Sequence, residues 1–93
     1  MKSIIQKDER ECFLCGRHDC LEEHHIFGGS NRKFSEKYGL KVKLCHWCHN
    51  EPPSGVHHNR ETRTHLQKIG QEAFLSEHGS REDFFRIFGR FYD

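Results

Sequence analysis

The stretch Cys45-His46-Trp47-Cys48-His49-Asn50 decides how this chain is read. Cys45 and Cys48 have the spacing of half a zinc site, and His49 follows at once. A second half-site, Cys12 and Cys15, lies upstream in Glu11-Cys12-Phe13-Leu14-Cys15-Gly16, and Glu23-His24-His25 lies between the two. Two thiolates three residues apart can grip one ion across a tight turn, and Gly16 permits the positive φ such turns use. Four sulfurs in tetrahedral array make a closed structural site. Cys12, Cys15, Cys45 and Cys48 are therefore expected to bind one structural Zn²⁺, with Trp47 packed over the knuckle. Cys20 has no partner at this spacing, and it and His18 are weaker competitors for the same role.

The bulk composition agrees with a metal staple. The chain has 93 residues, 33% of them hydrophobic and 31% charged. That length fits a single domain over 1–93, and so polar a chain buries only a small core. Domains of this kind rely on a metal or on disulfides. Five cysteines cannot complete a disulfide framework, and two Cys-x-x-Cys pairs suit a metal better. Free thiols persist in the cytosol, so a cytoplasmic location is expected. Met1 to Glu11 has no apolar core of signal-peptide length, and no stretch reaches membrane-spanning length. The net charge of +1 carries no global basic signal, so a nucleic-acid partner has to act through a local patch. Nine histidines are many for this length, and only their spacing can separate ligands from surface residues.

The hydrophobic pattern predicts an α+β domain, with a metal-bearing core over about 11–60 and a helical part over about 60–92. Met1 to Arg10 reads as a short strand or a partly ordered lead-in. Leu40-Lys41-Val42-Lys43-Leu44 alternates apolar and basic residues with period two, a strand with one buried face and one lysine face. It runs directly into Cys45. Leu21 to Phe27 is a second candidate strand, and Gly28-Gly29-Ser30-Asn31 a strong turn signal. Arg32 to Tyr38 reads as a helical turn that Gly39 breaks. The two strands would form an antiparallel hairpin with a long connection. Pro52-Pro53 interrupts regular structure. From Arg60 to His78, Leu66, Ile69, Ala73 and Phe74 share one helical face, with Gly79 as its cap. Ser80 and Asp83 resemble a capping box, opening a last helix with Phe84, Ile87, Phe88 and Phe91 on one face.

Once the cysteines are assigned, His24-His25, His49 and His57 remain. They occur with a second strand entering Leu44-Cys45, the Cys48-His49 step, the run Gly28-Gly29-Ser30-Asn31-Arg32, and Gly55-Val56-His57. Together these features resemble the HNH nuclease family, in its zinc-bearing branch, as found in small phage and prophage proteins. The match covers roughly residues 11 to 60. The resemblance implies a ββα-metal, treble-clef-like fold and a metal-dependent DNA endonuclease that leaves a 5′ phosphate and a 3′ hydroxyl. It implies that His24, His49 and His57 bind a catalytic Mg²⁺, Mn²⁺, Ni²⁺ or Zn²⁺, with His58 as an alternate to His57, and that His25 is the general base. It implies DNA as partner, with a phage or host recombination or packaging protein as a further candidate. Gly39 stands where the family's middle Asn usually lies, and Asn31 and Asn50 are the residues able to brace the loop instead.

The residue chemistry is independently compatible with this. Neighbouring strand residues project to opposite faces, so His24 and His25 can serve different functions. A neutral imidazole can take a proton from water at neutral pH. Arg32 and Lys33 follow the histidine loop and are candidate phosphate contacts, with Lys41 and Lys43 extending a basic face. No helix offers a suitable polar face for reading bases. Two other functions fit the same residues. One is a non-catalytic zinc module that binds nucleic acid. The other is a protein-interaction module that uses the aromatic C-terminal helix.

Overall fold

A computed structural model describes residues 2–93. Strands β1 (Leu21–His25) and β2 (Lys41–Cys45) pair antiparallel, with Leu21 opposite Cys45 and His25 opposite Lys41. Their connection holds a 3₁₀ turn (Gly29–Asn31) and helix α1 (Arg32–Tyr38). A four-residue helix α2 (His46–His49) leaves β2 directly, and α3 (Arg60–Glu77) and α4 (Arg81–Phe88) complete the chain. The architecture is the expected small α+β one, a two-stranded hairpin with C-terminal helices. Among the described residues, no helix is long and apolar enough to cross a membrane.

Residues directly opposite one another in an antiparallel pair share a face. Glu22 and His24 therefore lie with Leu44 and Val42, which are buried in the core. Glu23 and His25 lie on the other face with Lys43 and Lys41. The expected lysine face is not an open one. Lys41 is only 7% exposed, with Nζ 2.7 Å from Glu36 of α1 and 3.5 Å from Glu23. Lys43 reaches Glu23 at 3.6 Å. The alternation holds, but α1 supplies carboxylates that the strand pattern cannot reveal.

Buried Ser35 holds α1 to the end of β1. Its hydroxyl donates to the Phe27 carbonyl and accepts from the Phe27 amide, both at 2.9 Å. Regular strand ends at His25 rather than Phe27, although the Ile26 amide still donates to the Leu40 carbonyl at 3.0 Å. Phe27 turns into the core and packs on Phe84 and Phe88 of α4. Helix α3 crosses this point closely, because a Cβ on Gly70 would come within 2.7 Å of Ile26 Cγ2. Leu66 and Phe74 complete the face it buries.

Two helix ends differ from expectation. Helix α3 is capped by His78, while Gly79 leaves room for the Asp83 carboxylate, which would lie 2.7 Å from a Cβ there. Helix α4 has the Ser80–Asp83 capping box but stops at Phe88, where Gly89 takes φ +84°. Phe91 thus lies beyond the helix and folds back over Phe84. Phe84 and Phe88 are buried in the core, which leaves Phe85 as the exposed aromatic of α4.

The lead-in from residue 2 is irregular but anchored. The Ile4 amide donates to the Gly39 carbonyl at 2.9 Å, and the Lys43 amide to Gln6 Oε1 at 2.7 Å. Gly39 itself sits at φ +71°, with the Lys2 carbonyl oxygen packed where a Cβ would be. Any side chain there meets both left-handed strain and a backbone atom. Gly39→Ala is expected to cost about 2–4 kcal/mol, measured as a lower urea midpoint with an unchanged m-value.

Candidate metal centres

The first cluster is the four-cysteine one. Sγ atoms of Cys12, Cys15, Cys45 and Cys48 all lie within 4.8 Å of one another, and those of Cys15 and Cys45 are 3.6 Å apart. Sulfurs at ~2.3 Å from one tetrahedral ion would be spaced about 3.8 Å. The four residues can therefore hold a metal ion, consistent with a structural zinc. The first knuckle turns tightly, the Gly16 amide donating to the Cys12 carbonyl at 2.9 Å. The Phe13 amide donates to the Lys43 carbonyl at 2.8 Å, which ties that knuckle to β2.

The thiols perturb one another as a crowded anion site does. Burial opposes ionisation of Cys12, but amides of Cys45, Cys15 and Leu14 outweigh it and bring its thiol down to about 7. Cys48 is driven far above the ordinary thiol range, first by burial and then by the neighbouring sulfurs of Cys45, Cys15 and Cys12. A divalent cation removes that penalty and lets all four ligate as thiolates. Cys20 stands outside the group, exposed, with its carbonyl accepting from the His46 amide. His18 is also apart, on the Arg10 carbonyl. Trp47 is 44% exposed rather than buried over the knuckle. Its ring is covered by the Arg17 guanidinium, 4.4 Å from the centroid.

The second cluster is His24, His49 and His57, each offering a ring nitrogen within 4.8 Å of the others. His24 comes from β1, His49 from α2, and His57 from the segment after the prolines. That segment is brought back by two backbone bonds to α2. The Val56 amide donates to the Cys48 carbonyl at 2.7 Å and the His57 amide to the His49 carbonyl at 3.2 Å. Nε2 of His49 and Nε2 of His57 are 2.9 Å apart. Two nitrogens at ~2.1 Å from one ion, about 90° apart, would have the same separation. His58 is exposed and lies outside this group.

His24 and His57 are biased toward the neutral form a ligand needs. Burial, then the adjacent His49, His57 and His25, pushes His24 down to about 3. Burial and then His49 also lower His57. Glu22, two residues before His24 on the same face, accepts from His49 Nδ1–H at 2.9 Å and from Asn50 Nδ2 at 2.8 Å. His49 is thereby held with its Nε2 lone pair toward His57. A carboxylate behind a ligating imidazole orients it and raises its basicity. His46 shares this carboxylate cluster, with Nε2 3.1 Å from Glu51 and Nδ1 3.6 Å from Glu22.

His25 meets a different environment, although it lines the same hollow of about 290 Å³ as the three imidazoles, Gly29 and Arg32. Its Nε2–H donates to Glu36 Oε1 at 3.0 Å. Lys41, then His25, hold the Glu36 carboxyl down at about 2. The remaining nitrogen, Nδ1, accepts from Arg32 Nε at 3.4 Å. Lys33 lines an adjoining hollow with His25, Arg32 and Glu36, its ammonium 5.1 Å from the Phe34 ring centroid. Of the two asparagines able to brace the loop, Asn31 donates to the Phe88 carbonyl at 3.2 Å, and Asn50 to Glu22. Glu36 is the side chain that steadies His25. Glu22 could have been found from the strand's period-two spacing to His24. Glu36 and Lys41 could not, since their meeting depends on where α1 packs.

No protein-family model, curated protein or solved structure matches this chain.

One tightly held zinc per chain is expected. Cys12→Ala or Cys48→Ala should remove it and unfold the domain, because structural zinc supplies about 10–16 kcal/mol, comparable to a domain's whole stability of about 5–15 kcal/mol. Atomic absorption with far-UV circular dichroism checks both. Glu22→Gln should leave that zinc in place and weaken Ni²⁺ binding at the histidines by about 10- to 100-fold, read by calorimetric titration of zinc-loaded protein.

Proposed function

We propose that this protein is a metal-dependent DNA endonuclease of the HNH type, with His25 as general base and His24, His49 and His57 as ligands of a catalytic divalent ion. The observation that carries this is one open hollow with two kinds of histidine. Three imidazoles converge on a point, and a fourth beside them has one nitrogen fixed by a carboxylate and the other turned toward Arg32. A structural centre would use the first group and have no need of the second.

The roles follow from the hydrogen bonds. Glu36 fixes the tautomer of His25 with the proton on Nε2, so Nδ1 is the basic atom. In the free chain Arg32 covers Nδ1. An incoming phosphate competes for the guanidinium, and its pairing with Arg32 both positions the phosphate and uncovers Nδ1. Nδ1 then accepts a proton from water as the water oxygen attacks phosphorus. His24, His49 and His57 would hold a divalent ion, which would supply Lewis-acid stabilisation of the charge that develops on the leaving 3′ oxygen. The P–O3′ bond breaks, the leaving 3′ oxygen takes a proton from solvent water, and the proton on Nδ1 returns to solvent, leaving a 5′ phosphate and a 3′ hydroxyl. The zinc of the four cysteines would hold α2 against the first knuckle, one residue from His49.

A zinc module that only binds nucleic acid has no use for an oriented base, so His25 separates the two functions. His25→Ala is expected to keep fold and zinc content and to lose plasmid nicking by about 100-fold or more in Mg²⁺, Mn²⁺ or Ni²⁺. Wild-type protein that binds plasmid but cuts it with none of these ions would sink the endonuclease proposal.

A further inference from the structure

The sequence pattern alone gives Arg60, Arg63 and Lys68 no part in the site. With Thr64, Gln67 and Arg90 they nevertheless line one groove of about 520 Å³ between α3 and the tail after α4. Arg60, Thr64 and Lys68 recur every four residues along α3, on a face other than the one that buries Leu66, Gly70 and Phe74. Six cations elsewhere in the chain are neutralised by carboxylates. Arg10, Arg17, Arg81, Arg86, Lys41 and Lys43 each have a carboxylate partner. Among the described residues, Arg60, Arg63, Lys68 and Arg90 have none within 4.0 Å. The carboxylate of Asp93 also borders the groove, but Arg81 at 2.8 Å and Gln71 at 2.9 Å already hold it.

Concave placement gathers this unpaired positive charge. Side by side, such cations repel one another and gain from an anion that bridges them. The ligand is extended rather than compact. From Arg60 to Lys68 the helix rises about 12 Å at ~1.5 Å per residue, long enough to meet more than one phosphate of a single strand. Thr64 and Gln67 add neutral donors of the kind that bond phosphate and sugar oxygens. The groove lies on the helix that follows His57 in the chain: Asn59, two residues after His57, caps α3 by accepting from the Thr62 amide at 3.0 Å, and Arg60 is the next residue.

We propose that this groove binds the sugar–phosphate backbone of duplex DNA flanking the phosphate presented to His24, His25, His49 and His57. The proposal rests on the endonuclease reading for what lies at its inner end. An acidic peptide is the competing occupant. Its carboxylates lack the regular spacing of a backbone and would not lead into a phosphodiester site.

The test uses the zinc-loaded full chain carrying His25→Ala, so that binding is read without cleavage. A fluorescent 20-base-pair duplex and a fluorescent poly-glutamate peptide of similar charge are titrated at several salt concentrations. The chain with Arg60, Arg63, Lys68 and Arg90 all changed to Gln should bind the duplex at least about tenfold more weakly. Its salt slope should be shallower by about one for each phosphate it no longer neutralises. Circular dichroism and zinc content of this variant control for folding, and the single variants Arg60→Gln and Lys68→Gln give graded decreases in affinity. Duplex affinity and salt slope unchanged in the fourfold variant would overturn the proposal, as would tighter binding of poly-glutamate than of DNA. Cleavage by the chain with His25 intact is scored separately. Groove-dependent binding without cleavage supports the groove and defeats the endonuclease, whereas cleavage with groove-independent binding does the reverse.

Discussion

The pairing of β1 with β2 puts His24 opposite Val42 and His25 opposite Lys41. Everything at the candidate site depends on that register. Because successive strand residues alternate faces, it sends His24 toward the core, where α2 and the returning segment add His49 and His57. It sends His25 the other way, toward α1, where Glu36 and Arg32 take its two nitrogens. A one-residue slip would exchange the two environments. It would put His25 in the buried, hard-to-protonate position and His24 in the carboxylate-held one. The register is secured from several sides, by the Ser35 clamp on Phe27, by the Phe13 amide on Lys43, and by Gln6 on the Lys43 amide.

The four-cysteine cluster fixes the other half of the geometry. Helix α2 has four residues, too short to be stable alone. It is held by Cys45 and Cys48 at its start and middle, and by Val56 and His57 amides on the carbonyls of its last turn. His49 follows Cys48 directly, so an ion on the sulfurs would place the imidazole within the reach of one bond rotation. The same short helix takes the Glu22 carboxylate on His49 and its neighbours. Folding free energy from an ion at the sulfurs would thus be coupled to the orientation of His49 through one peptide unit.

The face around His25 shows electrostatic matching of a different kind. Lys41 is nearly buried, a costly place for an ammonium, and two carboxylates, Glu36 and Glu23, compensate it. Lys41 in turn keeps Glu36 ionised, and ionised Glu36 accepts the His25 proton. The basic strand residues therefore support an imidazole instead of offering charge to solvent. A further group of cations without carboxylate partners among the described residues, Arg60, Arg63, Lys68 and Arg90, lies on α3 and the C-terminal tail.

Much of this was legible in the residues. Two Cys-x-x-Cys pairs identify the four cysteines that meet closely enough to hold a metal ion, because a thiol pair at that spacing has few other uses in a small polar chain. Period-two and period-3.6 patterns place the hairpin and both C-terminal helices, since burial of one face is what selects each period. Ser80 and Asp83 announce their capping box because both partners lie within one turn. Other features arise between segments distant in sequence, and only the tertiary structure decides them. The return of His57 across Pro52-Pro53 depends on backbone bonds to α2. The end of α4 at Phe88 turns on the left-handed conformation of Gly89. The joining of Glu36, Lys41 and His25 requires α1 to pack on one particular face of a strand pair whose register local propensity does not encode. The gathering of Arg60, Arg63, Lys68 and Arg90 requires the tail after α4 to fold back along α3. Local patterns report what each segment must bury. Which charges finally meet is set by how the buried faces close on one another.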